Sequence, residues 1–259
     1  MSILNNKDVV KEQYKTATNL NTRISIHSKY SVNKQGFGNW IVGKYEIKDG
    51  MRILELGCGT GDMWKEHTEL LEAVSELVLT DFSAGMLESA KEMLGENKNI
   101  SYKVVDIQNI PYEDNSFDMV IANMMLYHVP EIHKGLAEVR RVLKANGLFY
   151  CATYGEHGIV EYISGLLKEY QVEGKLNKNF TLQNGEEILV KHFQSAVRYD
   201  YEDALEVKDI DDMIDYIYSL SSMSNISNIK RNELQHILEN NMVNGVLRVP
   251  KEYGMFVCR

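Results

Sequence analysis

The chain has 259 residues, 44% of them hydrophobic and 25% charged, which is an ordinary globular composition and excludes disordered and fibrous classes. Its 28 basic and 37 acidic residues give a formal net charge of -9. That balance argues against a phosphate-neutralising surface, so no nucleic-acid partner is expected. The three cysteines, Cys58, Cys151 and Cys258, show neither a disulfide framework nor metal-ligand spacing. No run approaches the ~18–20 apolar residues that span a bilayer, and the first ten residues lack an apolar signal core. The expectation is a soluble, cytoplasmic protein without membrane insertion or a metal.

Residues 5–31 carry Val9, Val10, Tyr14, Leu20, Ile24, His27 and Tyr30 at helical spacing. Asn33–Asn39, with two glycines, interrupts that pattern, and Trp40–Tyr45 reads as a short helix before the turn Lys48-Asp49-Gly50. Strand and helix then alternate. Arg52–Leu56 is an apolar strand, Met63–Glu72 a helix, and Glu76–Thr80 a second strand. Ser83 is placed to cap a helix at Met86–Leu94 with its hydroxyl. Ser101–Val105 and Phe117–Ala122 read as strands, Ile132–Leu143 as a helix and Gly147–Tyr154 as a fifth strand.

Such alternation predicts an α/β fold with a doubly wound, mostly parallel sheet, its ligand crevice at the strand carboxyl ends. Helices are expected at Gly158–Gln171, Gly185–Phe193 (capped by Asn184), Ile210–Leu220 and Lys230–Met242, with Ala196–Val207 strand-rich. Val246–Val249 and Tyr253–Cys258 close the chain as strand, and Pro250 places their junction at an edge or a bend. The organisation expected is lid helices over 1–50, a cofactor-binding core over 51–155, outer helices and a substrate cap over 156–245, and a final sheet strand over 246–259.

The chemistry concentrates in Ile53-Leu-Glu-Leu-Gly-Cys-Gly-Thr-Gly61. Alternate glycines let the backbone turn tightly and let a ligand lie against the main chain. Glu55 at a buried strand end is costly unless it meets a donor or a cation, such as the ammonium of a bound amino acid. A dinucleotide fingerprint would place its third glycine at position 62, which is Asp62. An anion there is unfavourable beside a pyrophosphate, so the loop suits a phosphate-free nucleoside better than NAD. Asp81, at the end of the second strand, can accept from both hydroxyls of a ribose; taken alone, it could equally serve as a helix cap. Asp106, after the third strand, can accept from an adenine amine, or could be a plain loop carboxylate.

Together these residues resemble the class I S-adenosylmethionine-dependent methyltransferases, with the likeness nearest to the ubiquinone/menaquinone-biosynthesis methyltransferase-like group. The matching segments are ILELGCGTG (53–61), LTDFSAGML (79–87), VVDIQNIPYEDNSFDMVIANMMLYHV (104–129) and EVRRVLKANGLFYCATYG (138–155). The resemblance implies a seven-stranded Rossmann-like sheet with N-terminal lid helices and a C-terminal helical cap. S-adenosylmethionine would be the cofactor, S-adenosylhomocysteine the product, and a small molecule the methyl acceptor at O, N or C. It further implies that Glu55, Gly57, Cys58, Gly59 and Gly61 hold the methionine part and Asp81 the ribose. Phe82, Asp106 and Ile107 would hold the adenine, and Asn123 the cofactor floor.

Arg23, His27 and Tyr30 share one face of the first predicted helix; Arg23 is a candidate partner for the cofactor carboxylate. His27 and His128 are candidates for a proton acceptor, though no catalytic residue is identified. Trp40, Tyr30 and Tyr154 could flank a sulfonium, with core packing the plainer role. Two other functions remain open on sequence alone: a non-catalytic S-adenosylmethionine-binding protein and an NAD-dependent oxidoreductase.

Overall fold

The computed structural model describes residues 25–220 and 223–259. Residues 25–30 are helical; Arg23 and most of the first predicted helix lie outside the described residues. Helix α1 (Phe37–Val42) starts directly after Gly36, whose φ of 78° ends the preceding loop. The helix therefore begins three residues earlier than its apolar pattern indicated.

Strand β1 (Arg52–Leu56) is followed by two short helices, α2 (Asp62–Lys65) and α3 (Thr68–Ala73), where one helix was expected. Next come β2 (Glu76–Asp81), α4 (Ala84–Leu94), β3 (Ile100–Val104) and β4 (Phe117–Ile121). Ser83 sits at the N-cap of α4 but makes no side-chain cap bond. The Asp81 carboxylate accepts from the Ser83 N–H instead, at 2.8 Å. Helix α5 (Ile132–Val142) runs without a break into β5 (Leu143–Tyr154). Then follow α6 (Ile159–Leu166), the two-residue β6 (Glu173–Gly174), α7 (Gly185–Leu189), β7 (Ala196–Val207) and α8 (Ile210–Ser219). The chain closes with the two-residue β8 (Met223–Ser224), α9 (Arg231–Glu239) and β9 (Leu247–Cys258).

Seven strands form one sheet in the order β3-β2-β1-β4-β5-β9-β7. The first five are parallel, and β9 runs antiparallel between β5 and β7. The α/β class and the mostly parallel seven-stranded sheet agree with the sequence. The strand order reverses between β1 and β4, which opens a crevice at their carboxyl ends. Side chains alternate across the sheet. Leu54, Leu56, Val78, Val120 and Phe149 pack with Leu136 and Val139 of α5 on one face. Ile53, Leu77, Met119, Ile121 and Tyr150 pack with Ile41, Trp64 and Leu71 on the other. Each fully buried aliphatic side chain contributes about 1.5–3 kcal/mol, and these two layers hold the strand ends rigidly.

The segment 156–245 contributes more than helices, since β7 within it is the outer strand of the sheet. The two closing strands are one. β9 pairs with β7 without interruption from Val207↔Leu247 to Ala196↔Cys258. Pro250 is tolerated because β5 pairs only with residues 253–258, which leaves one side of Pro250 without a strand partner. Its first six residues and their β7 partners therefore overhang the carboxyl end of β5 as a two-stranded ribbon. A third apolar core forms where this ribbon meets the C-terminal helices, around Leu205, Val207, Leu247 and Val249 with Ile163, Met213, Ile217 and Leu234. Ile26 joins it, which docks the helix over residues 25–30. Among the described residues, no helix is long and apolar enough to cross a membrane.

Candidate active site

A cavity of about 500 Å³ opens where the strand carboxyl ends meet the overhanging ribbon. Its first end is the loop after β1. Gly57 and Gly59 have φ of 73° and 56°, a backbone region that L side chains rarely adopt. A Cβ on Gly57 would lie 3.0 Å from Met125, whereas one on Gly59 would meet nothing within 4 Å. Gly61, also at positive φ, does not line the cavity; a Cβ there would press on Ala90 and Leu94 of α4. It was expected at the ligand, but its place is in helix packing.

Asp81 lines the cavity and ties two loops together. Its carboxylate accepts from Gly59 N–H at 3.0 Å and from Ser83 N–H at 2.8 Å. Burial pushes its pKa up, and the backbone donors at Ser83, Gly59 and Phe82 oppose that rise. Asp106 lines the same end and accepts from the Gln108 backbone at 3.0 Å. Phe82, Ile107 and Cys58 line it as well. Burial drives the Cys58 thiol upward, with the charges of Glu55 and Asp81 adding to the effect, so it stays protonated.

Glu55 is 4% exposed and lies beneath the loop, outside the cavity lining. Trp64 Nε1–H donates to its Oε2 at 2.5 Å. Burial raises its pKa to about 7, with that donor opposing and the Asp81 charge reinforcing. Asp62, which sequence reasoning used only to exclude a pyrophosphate, does line the cavity. Its carboxylate accepts from the Thr60 hydroxyl.

Asn123, after β4, is held by Ala152 N–H to its Oδ1 at 3.1 Å and by its own Nδ2 donating to Tyr45 Oη at 2.7 Å. The next residue, Met124, has φ of 53° and lines the cavity, an unfavourable backbone for a non-glycine residue at the edge of the site. His128, in the 3₁₀ turn Leu126–His128, lines the wall beside it.

The far end comes from other parts of the chain: His27, Phe37, Tyr216 and Tyr253. Of the aromatic candidates, Tyr30, Trp40 and Tyr154 do not line the cavity. The Tyr30 hydroxyl donates to Asp212 at 2.6 Å, Trp40 stacks on Phe37 at 5.9 Å, and the Tyr154 hydroxyl donates to the Asn177 carbonyl at 3.0 Å. Phe37, Tyr216 and Tyr253 were missed because nothing local marks them. Their common wall exists only once β9 pairs with β7 and α8 packs on the ribbon. Among the described residues, no group of three or more His, Cys, Asp or Glu is arranged to hold a metal ion.

Residues 54–151 match the family model of a methyltransferase domain. The chain is 36% identical over 105 residues to a demethylmenaquinone methyltransferase of Staphylococcus aureus (strain MRSA252), covering 40% of this chain and 44% of that protein. It is 38% identical over 105 residues to the protein of the same name in Staphylococcus haemolyticus, with the same coverage. The chain therefore matches less than half the length of these curated relatives. Among solved structures it is similar to phosphoethanolamine N-methyltransferase 2 of Haemonchus contortus in complex with S-adenosyl-L-methionine. That likeness has a TM-score of 0.61 at 18% identity over 97% of this chain and 59% of the other. It is also similar to the (4+2)-cyclase SpnF, with a TM-score of 0.59 at 15% identity over 96% and 94% of the two chains. At these identities the likeness is one of fold.

Proposed function

We propose that this chain, which carries a methyltransferase domain over residues 54–151, transfers a methyl group from S-adenosylmethionine to a small-molecule acceptor. The observation that carries the reading is the make-up of the cavity's first end. A backbone cradle at Gly57 and Gly59 faces Asp81 and Asp106, and Asp62 stands beside it. Carboxylates suit ribose hydroxyls, an adenine amine and a cation, and they repel a pyrophosphate. The same acid weighs against the NAD-dependent reading.

In this reading Asp81 accepts from the ribose hydroxyls while its backbone bonds keep it aimed. Phe82 and Ile107 cover the adenine, and Asp106 accepts from its amine. Glu55 acts from below the loop, through Trp64 and the field it contributes, while Asp62 is the carboxylate that meets the ammonium directly. Bound S-adenosylmethionine supplies a methyl group already activated by its positive sulfur. The chain's own task is to hold the acceptor atom in line with that methyl and to exclude water. His128, on the wall, is placed to take a proton from an acceptor that must lose one.

Calorimetric titration with S-adenosylhomocysteine tests the reading, with one-to-one binding as the expected outcome. Tight NADH binding in its place would defeat it. A methyl-release assay against classes of metabolite must follow, because this fold also carries a protein named as a cyclase and fold does not settle chemistry.

A further inference from the structure

The sheet ends on β7, whose outer edge has no strand partner among the described residues. Part of that edge is covered from the side. Val32 N–H donates to the Ala204 carbonyl at 2.9 Å, and Asn33 Nδ2 to the Glu202 carbonyl at 3.0 Å. Backbone groups alternate in direction along a strand, and the β7–β9 register runs without a shift from Ala196 to Val207. The even-numbered residues of β7 therefore turn their N–H and C=O outward. Among the described residues, no other backbone group meets those of Ala196, Arg198 or Asp200.

Charged side chains on an open edge usually deter pairing with a passing strand. Here the two charges have opposite signs. Within the chain, Arg198 Nε donates to Asp200 Oδ1 at 2.6 Å, and Arg198 Nη1 donates to the Leu182 carbonyl at 2.9 Å. Neither bond uses Arg198 Nη2 or Asp200 Oδ2. On the other face of the same stretch, Val197 and Tyr199 are 49% and 38% exposed. The Lys44 ammonium lies 5.0 Å from the Tyr199 ring centroid, which steadies that ring.

A second copy of this chain fits the pattern. Laid antiparallel about a two-fold axis at Tyr199, it sets Arg198 opposite Asp200 of the second copy, and Asp200 opposite Arg198 of that copy. Opposite charges across a strand pair stabilise it, and like charges oppose it. Both residues turn their backbone outward, so each of these pairs exchanges N–H···O bonds in both directions. Tyr199 then meets its own copy, with Val197 beside it. Moving the axis to residue 198 or 200 sets Arg198 against Arg198 or Asp200 against Asp200. The cover over Glu202 and Ala204 stops the pairing from running further.

We propose that β7 is a dimerisation edge, through which two copies of this chain join at residues 197–201 into one continuous sheet with two-fold symmetry. The pairing is short and belongs at the low end of interface size, so its dissociation constant should be on the order of 10 µM. None of residues 197–201 lines the cavity, so the proposal stands apart from the cofactor reading.

Sedimentation equilibrium of the full chain, from about 1 to about 200 µM, tests it, with twice the chain mass expected at the upper end. Arg198→Asp and Asp200→Arg should each weaken self-association at least about tenfold, because each sets like charges opposite one another. Mixed in equal amounts, the two variants should associate as tightly as wild type, since one carries two acids and the other two bases. A merely structural role for the Arg198–Asp200 pair gives no such recovery on mixing. In the wild type, the Arg198 and Asp200 amides should exchange with deuterium more slowly as concentration rises, while the Tyr199 amide, which faces β9, stays unchanged. That measurement decides the matter even if the variants fold poorly. A monomer at about 200 µM overturns the proposal. So does a dimer whose single variants associate like wild type, a mixture of folded variants that stays monomeric, or a dimer that leaves those two amides unprotected.

Discussion

The two ends of the cavity handle charge in opposite ways. At the cofactor end, Glu55, Asp81 and Asp106 are held by neutral donors: an indole N–H, backbone N–H groups and an amide. At the far end the buried charges cancel within the protein, Lys251 against Asp203, with side chains 2% and 0% exposed. Carboxylates left uncancelled lower the free energy of a bound cation, whereas a cancelled pair behind aromatic rings contributes little net field to the cavity. One end thus presents carboxylates with no cationic side chain beside them among the described residues, the other a buried pair whose charges cancel.

Breaking the internal pair is expected to have the largest effect. Burial alone would raise the Asp203 pKa, but bonds from Asn33 N–H, Lys251 and Ser31 outweigh it and hold the carboxylate below its usual value. Lys251→Met leaves that carboxylate buried without its cation and should cost about 3 kcal/mol in urea denaturation. Lys251→Met combined with Asp203→Asn should recover at least half of the loss. With the Lys251 field gone, the His27 pKa should also rise. Equal stability of Lys251→Met and wild type would show that the pair does not neutralise this wall.

The opposite end gives a comparable effect that depends on pH. Glu55 has a folded pKa of about 7 against an ordinary 4.5. Below 4.5 it is protonated in folded and unfolded chains alike, and its contribution is fully present. As pH rises through 7 the folded state must ionise a buried carboxyl, and that contribution is lost. From about pH 5 to about pH 8, the loss assigned to this group is roughly 3 kcal/mol. Glu55→Gln keeps an acceptor for Trp64 and removes the charge, so its stability should fall less over that range. Identical pH slopes for the two proteins would mean that the Glu55 charge carries no such penalty.

Gly59→Ala sharpens the contrast between packing and ligand. A Cβ there meets nothing within 4 Å, so the protein should lose only the strain of a positive φ, about 1 kcal/mol. Affinity for S-adenosylhomocysteine should nonetheless fall about thirtyfold, because the added methyl occupies the surface on which the ligand lies. Unchanged affinity would remove Gly59 from the ligand's path.

Sequence legibility followed the same division. Gly57, Gly59, Asp81 and Asp106 sit at the ends of consecutive strands, so local pattern and strand order suffice to bring them together. Even there, packing altered details: Gly61 faces α4, Glu55 lies under the loop, and Asp81 rather than the Ser83 hydroxyl meets the start of α4. The far end was opaque for a geometric reason. His27 and Tyr253 are 226 residues apart. Tyr216 looks like any residue on an amphipathic helix, and Tyr253 takes its place only through a register with Tyr154 and Tyr201 that no local motif encodes.

Asp81→Ala is the smallest of these effects and the most specific. The carboxylate spans two backbone donors, on the glycine loop and at the start of α4, so its removal both takes an acceptor from the ribose hydroxyls and loosens the loop. Affinity for S-adenosylhomocysteine should drop at least about tenfold. Asp81→Asn separates the two causes, because one amide oxygen can still accept from Gly59 or Ser83 while the charge is gone. If the loop alone matters, Asn should bind nearly as well as Asp; if both ribose hydroxyls need an acceptor, Asn should resemble Ala. Full affinity in a correctly folded Asp81→Ala would place the ribose elsewhere, and with it the rest of the assignment at the cofactor end.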